Sequence, residues 1–263
     1  MKAIINHNMR ALKSDQFVAE CPVATEATKV TEVPTASLSL RVVTALEIAS
    51  VIISVLLAVW AIVPLQPDNR WVGALPGLLA LALMINSHRL RGETPSELGF
   101  TLKYFGRAIV LLLAPMLITS LLLIVTGYLA HSLHFGARFQ INLLLLPFWG
   151  LTQQYILQAF IYRRLKLIFI DPHVTSAQRA ARTRLAIFLA ALLFALVHAP
   201  NLTLMALTLI GGLVWSWVYE RAPNLLALGL SHGVMSALAM ASLPQWFLQS
   251  MSVGYKYFIY QKF

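Results

Sequence analysis

The chain has 263 residues, of which 59% are hydrophobic and only 11% are charged, and its mean hydropathy is +0.73. Soluble domains carry about a quarter charged residues and disordered chains combine low hydrophobicity with high charge, so both classes are excluded. The single cysteine, Cys21, excludes an intrachain disulfide and a multi-cysteine metal site. The composition predicts an all-α, polytopic integral membrane protein.

A polar stretch comes first in the chain and apolar runs follow it. Residues 1–36 carry scattered charges without the pattern of a cleavable signal peptide, and we expect a cytoplasmic extension with a weak surface helix over 8–20. We expect residues 37–263 to form one membrane domain. A span of about 30 Å takes roughly 20 apolar residues. This length predicts seven helices, near residues 42–65, 72–88, 106–130, 141–163, 183–199, 202–219 and 224–242.

The C-terminal tail and the basic residues set the expected topology. The tail from Trp246 to Tyr260 is aromatic and interrupted by charge, so we predict an interfacial segment, with an eighth helix as the alternative. With the N-terminus inside, sixteen of the twenty Lys and Arg residues fall on the inner side, in residues 1–41, 89–107 and 163–184 and at Arg221. This positive-inside asymmetry accounts for the net charge of +10. We therefore predict a bacterial cell membrane protein with a cytoplasmic N-terminus, with lipid and not nucleic acid as its surroundings.

Three polar clusters lie inside the predicted spans, where polar side chains are costly and indicate function. They fall in the fourth, fifth and seventh helices, and their members are Gln153, Gln154, Gln158, His198, His232 and Ser236. At about 1.5 Å of rise per residue, Gln154, His232 and His198 lie roughly 14, 12 and 21 Å from the inner ends of their helices. We expect one polar cavity shared by these three helices.

Each of these residues also has a structural interpretation. A membrane glutamine often joins helices, and a histidine near a helix end, such as His198, is often interfacial. The pair Gly229 and Gly233 predicts close helix contact, and Trp215 with its aromatic neighbours predicts an interfacial belt. The order of the three clusters along the chain favours a functional role over these structural ones.

That order resembles the CPBP family of intramembrane proteases, also called Abi or CAAX prenyl protease 2-like proteins. Phe194 and His198 match the family's Phe-x-x-x-His motif, and His232 matches the first residue of its His-x-x-x-Asn motif. Residues 217–226 look like the usual lead-in to that last motif, and residues 94–100 resemble a Leu-Gly segment that precedes the family's core. The motif core covers about 143–240. The resemblance implies an intramembrane endopeptidase acting on prenylated or membrane-presented peptides.

The chain departs from the family at the charged positions. Gln153 and Gln154 stand where the family has two glutamates, Gln158 stands at its arginine, and Ser236 at its asparagine. The resemblance implies that the first glutamate activates water while His198, His232 and Ser236 orient the water and the oxyanion. A glutamine amide cannot accept the proton that general-base catalysis requires. Two hypotheses stay open: an endopeptidase, or a catalytically inactive homologue that binds peptides or partner helices as an immunity, scaffold or regulatory protein.

Other groups have weaker claims to a chemical role. Glu47, inside the first predicted span, is interpreted as reaching to the inner headgroups, and Glu220 as solvated or paired with Arg221. His198 and His232 could shuttle a proton or bind a divalent metal, although two histidines alone are an incomplete zinc set. A small transporter ranks last because no duplicated half is visible.

Overall fold

The computed structural model describes residues 35–62, 65, 70–171 and 173–260. Throughout these ranges the regular secondary structure is helical, which confirms the all-α prediction. The predicted extension over 1–36, with its weak helix at 8–20 and Cys21, lies outside the described residues except for its last two positions.

The helices follow the predicted order. They are α1 Thr35–Leu57, α2 Arg70–Leu90, α3 Phe105–Leu129, α4 Ala137–Gln154, α5 Arg163–Phe169, α6 Ser176–Leu196, α7 Leu202–Arg221, α8 Leu225–Ser242, α9 Gln245–Leu248 and α10 Tyr255–Tyr260. A π-helical turn, Ala58–Ile62, extends α1, and a longer π segment, Tyr155–Tyr162, joins α4 to α5. The predicted helix at 141–163 is thus α4 together with this π segment.

Helix α6 begins seven residues earlier than predicted because its start is capped. The backbone N–H of Gln178 donates to Thr175 Oγ1 and the Gln178 side chain accepts from the Thr175 backbone N–H, so two otherwise unpaired donors are satisfied. The polar residues before 183 therefore belong to the helix, although they contribute nothing to an apolar span.

Four helices in the described part of the chain are long and apolar enough to cross a membrane. They cover Leu40–Ile62, Phe105–Leu129, Leu202–Arg221 and Leu225–Ser242. Large apolar side chains on their outer surfaces, such as Leu113 and Leu121, are more than half exposed, as lipid contact requires. The chain is an integral membrane protein. The helices of the described tail are α9, a 3₁₀ turn over Gln249–Met251 and α10, and each of them lacks the length of a span.

Glycines bring α4 and α8 into backbone contact. A Cβ added to Gly233 would lie 2.5 Å from Pro147 Cα, and one added to Gly229 would lie 2.7 Å from Leu151 Cα. Real Cβ atoms do not approach a backbone this closely, so the predicted packing role of the glycine pair is confirmed. The contact places the C-terminal end of α4 beside the middle of α8.

Candidate functional site

Two buried glutamines and a histidine form a hydrogen-bonded chain where α4 meets the π segment. Gln154 and Gln158 are both fully buried. Gln158 Nε2 donates to Gln154 Oε1 over 3.3 Å, and Gln154 Nε2 lies 3.2 Å from His232 Nδ1. With the Gln154 oxygen occupied by Gln158, its NH₂ group donates to His232 Nδ1, which places the proton of the neutral ring on Nε2. We call these three residues the amide–imidazole site.

Aromatic rings surround His232 and connect it with His198. The Trp215 ring stacks on the His232 ring with a centroid distance of 4.3 Å and an interplanar angle of 18°. The Phe194 ring lies 6.0 Å from His232 and 4.9 Å from His198. Trp215 is buried and its Nε1 donates to Ser231 Oγ over 3.0 Å. The interpretation of Trp215 as part of an interfacial belt is therefore wrong, and it is the site residue that sequence reasoning missed.

His198 lies in the turn after α6, held by the residue four positions earlier. Its Nδ1 is 2.7 Å from the Phe194 carbonyl oxygen. Because a carbonyl oxygen only accepts, Nδ1 carries the hydrogen, and Nε2 of the neutral ring keeps a lone pair. The Phe-x-x-x-His spacing thus fixes both the orientation and the tautomer of His198.

Gln153 and Ser236 stand apart from these contacts. Both are half-buried, and neither takes part in the chain from Gln158 through Gln154 to His232. One residue along a helix turns the side chain by about 100°, so Gln153 and Gln154 cannot face His232 together. Sequence alone left the two glutamines equivalent, whereas the geometry selects Gln154.

A divalent metal at His198 and His232 stays a prediction. Among the described residues, His, Cys, Asp and Glu side chains form no group of three or more that could hold a metal ion. Within the described part of the chain, the two histidines therefore have no third ligand of these types, short of the set that zinc usually takes.

A second polar region lies at the C-terminal end of the π segment, where α5 begins. We call it the charge network, and its members are Glu47, Ser87, His88, Arg91, Glu93, Arg163 and Arg164. Arg164 is fully buried, and its Nη2 donates to Glu93 Oε2 over 2.8 Å and to Ser87 Oγ over 3.0 Å. Glu93 Oε2 also lies 2.6 Å from His88 Nδ1, and Oε1 accepts from Arg163 Nη2 over 2.8 Å.

The environment of Glu93 favours its ionised form. Burial raises the pKa of this carboxyl, but the hydrogen bonds from His88 and Arg164, together with the charges of Arg164 and Arg163, outweigh burial. The pKa of Glu93 is consequently held well below its usual range.

The structure corrects two interpretations of acidic residues. Glu47 does not reach to the headgroups: it accepts from Arg91 Nη2 over 2.8 Å, and its Oε2 lies 3.2 Å from Arg164 Nε, beside a cleft of about 130 Å³ between α1 and α2. Glu220 pairs with Lys166 over 2.7 Å, whereas Arg221 lies over the ring of Trp217. Two arginines hold Glu47, which makes it a poor replacement for a catalytic base.

A comparison with protein families matches residues 136–238 to the model described as type II CAAX prenyl endopeptidase Rce1-like. Comparisons with curated proteins and with solved structures gave no match. The matched segment is less than half of the chain, but it contains α4, the π segment, α6, α7, most of α8 and every residue of the amide–imidazole site. It confirms the resemblance to the CAAX-type intramembrane proteases. Residues 136–238, which carry the site, are therefore similar to the type II CAAX prenyl endopeptidase Rce1-like family.

Proposed function

We propose that this protein is an intramembrane endopeptidase that hydrolyses a peptide bond in prenylated or otherwise membrane-presented peptides, with His198 as its general base. The family match supports the reaction class. The observation that carries the proposal is the bond between His198 Nδ1 and the Phe194 carbonyl, which leaves Nε2 as a proton acceptor. Imidazole titrates near neutral pH, as a general base in this reaction should.

The roles follow from the hydrogen positions. His198 Nε2 takes a proton from water while the water oxygen bonds to the scissile carbonyl carbon. His232 Nε2–H donates to the oxyanion that develops, and Gln154 keeps the proton on that nitrogen. The carbon–nitrogen bond then breaks as His198 returns its proton to the leaving amine.

A catalytically inactive homologue is the second candidate, and the Gln154–Gln158 pair favours it. In the family that the sequence resembles, these positions carry a glutamate and an arginine. Here two hydrogen-bonded, uncharged amides fill them. Joint loss of both charges avoids leaving either one buried and unpaired. Such a protein would bind a peptide or partner helix in the same place and act in immunity or regulation.

Cleavage by the purified full chain in lipid nanodiscs separates the two candidates. We expect release of a C-terminal fragment from a prenylated CAAX-type peptide, measured by mass spectrometry, and a loss of about 10²-fold or more in His198→Ala. His134→Ala, at an exposed histidine, is the matched control and should keep full activity. Peptide binding without cleavage would assign the second candidate. Neither binding nor cleavage, with a signal-type peptide also tested, would contradict both.

We further propose seven spans with the N-terminus in the cytoplasm. The segment between Arg163 and Arg184 carries six basic residues beside two membrane ends, which supports an inner location. In a Cys21-free protein, a cysteine at Gln178 should resist an impermeant thiol reagent added to intact cells. Labelling there would invert the topology.

A further inference from the structure

The charge network and the amide–imidazole site lie at opposite ends of one continuous helical run. Gln154 is the last residue before the π segment Tyr155–Tyr162, and Arg163 and Arg164 are the first two after it. Gln158 lies within the segment. Contacts that fix the C-terminal end of this segment therefore also fix the orientation of its N-terminal end.

The network contacts the π segment along its length as well as at its end. The His88 ring lies 5.7 Å from the ring of Tyr155 and 5.6 Å from that of Phe160. The Arg164 guanidinium lies over the Phe160 ring at 5.1 Å. One histidine thus touches the first and the sixth residues of the segment, and Glu93 holds this histidine and Arg164 together.

The π register needs such support. An isolated π helix is unfavourable, and π turns persist mostly as local features at functional sites. If the segment relaxed to α geometry, its register would change by at least one residue. The face that carries Arg164 would then turn by about 100° relative to the face that carries Gln154. The Arg164–Glu93 contact and the Gln154–His232 contact are therefore compatible in the π register and would compete in the α register.

Stability alone does not explain this network. The attraction within a buried ion pair often fails to offset the desolvation of its two charges. Apolar side chains at the same positions often give the protein equal stability. Here the fully buried Arg164 receives partners from α1, α2 and the loop after α2, an arrangement that fixes direction as well as position.

We infer that the charge network, acting through the Glu93–Arg164 pair, is a positioning device that holds Tyr155–Tyr162 in the π register and so keeps Gln154 and Gln158 aligned with His232. Its consequence for catalysis rests on the proposed function, whereas the alignment itself does not.

Trp215 provides a reporter of this alignment because it stacks on His232. The experiment uses the full chain in nanodiscs with the other five tryptophans changed to phenylalanine. Glu93→Gln removes the charge at nearly constant shape and should change Trp215 fluorescence intensity about twofold, since such ring pairs depend on close geometry. Glu93→Asp should restore most of the signal. Asp171→Asn, which breaks the exposed Arg41–Asp171 pair, is the matched control and should leave it unchanged.

If Glu93→Gln fails to fold, Ser87→Ala replaces it, because it removes one hydrogen bond from Arg164 and one from Glu47. A smaller change in the same direction is expected. Unchanged Trp215 fluorescence in the folded variant, or an equal change in Asp171→Asn, would overturn the inference. Peptide cleavage measured in parallel keeps the two proposals separate, since the fluorescence result holds whether or not the protein is a protease.

Discussion

Two polar regions share one helical run, and their chemistry differs. At the N-terminal end of the π segment, Gln154, Gln158 and His232 are joined by neutral hydrogen bonds. At its C-terminal end, Glu93, Arg163 and Arg164 with their partners are joined by ion pairs. The family motif has its charges at the first region, whereas this chain has them at the second. Amides suit the dry middle of the bundle because they keep shape without a buried charge.

Restoring charge to the first region should give the largest effect. In Gln153→Glu/Gln154→Glu/Gln158→Arg a carboxylate regains the base position and a guanidinium compensates it. When the three changes are made in His198→Ala, which lacks its base, cleavage should rise by about 10²–10⁴-fold, the usual contribution of a general base. In the wild-type background, where His198 already serves as the base, the gain should be small. Initial rates with the prenylated peptide measure the change.

The single variant Gln153→Glu is the control for this prediction and should gain much less. A lone buried carboxyl favours its neutral form. An equal gain in both variants would mean that the counter-charge is unimportant, and the comparison between the two regions would lose its basis.

Removing charge from the second region should give the next largest effect. Glu93→Gln leaves Arg164 buried without its main partner, and loss of one member of a buried pair costs about 3–5 kcal/mol. Thermal unfolding at pH 7 in nanodiscs measures this cost. Asp171→Asn, at an exposed pair, should change the melting temperature little.

The pH dependence of stability sharpens the same prediction. The folded-state pKa of Glu93 is lowered, so its contribution is complete above the unfolded-state pKa of about 4.3 and is lost as the pH falls further. Wild-type stability should fall between about pH 5 and 3, and Glu93→Gln should show a flatter profile. Parallel profiles for the two proteins would contradict the assigned pairing.

The contact between α4 and α8, next to the first region, should be sensitive to the addition of one methyl group. A Cβ at Gly233 meets the backbone of Pro147, so Gly233→Ala should cost about 1–3 kcal/mol and weaken the Gln154–His232 contact. A Cβ at Gly77 meets nothing within 4 Å, and Gly77→Ala should be neutral or slightly stabilising. Equal melting temperatures for the two variants would argue against close packing of α4 and α8.

The smallest effect is expected at Gln158. Its Oε1 is buried without a hydrogen-bond partner in the described part of the chain, so Gln158→Met gives up one weak bond and relieves one unpaired acceptor. We expect a change below about 1 kcal/mol, in contrast to Glu93→Gln. A cost equal to that of Glu93→Gln would show that the amide pair is as critical as the ion pairs.

The sequence predicted the helices and most of the first region because polar residues stand out in apolar runs. Gln154, Gln158 and His232 were found on this basis, and their contact depends on glycine spacing that the sequence also displays. Trp215 was misassigned because tryptophan is common both at membrane interfaces and in cores. Only the fold shows that its ring covers His232.

The second region was missed for a different reason. Its arginines lie in segments whose positive charge is already explained by the positive-inside rule, so nothing in the sequence indicated that they form ion pairs. Arg164 binds partners about 70 to 120 residues away in the chain, at Glu93 and Glu47. Such pairings depend on how α1 and α2 pack against the π segment, which hydropathy does not reveal.

The pH dependence of kcat for cleavage of the prenylated peptide tests the central claim, a histidine base in a neutral site, most directly. The base must be deprotonated, so the rate should fall on the acid side within the range where imidazole titrates, about pH 5–8. His198→Ala should lose both the rate and this dependence. An acid limb that persists in His198→Ala would assign the base to another group, such as Glu47, and contradict the account. Absence of cleavage at every pH would contradict it as well.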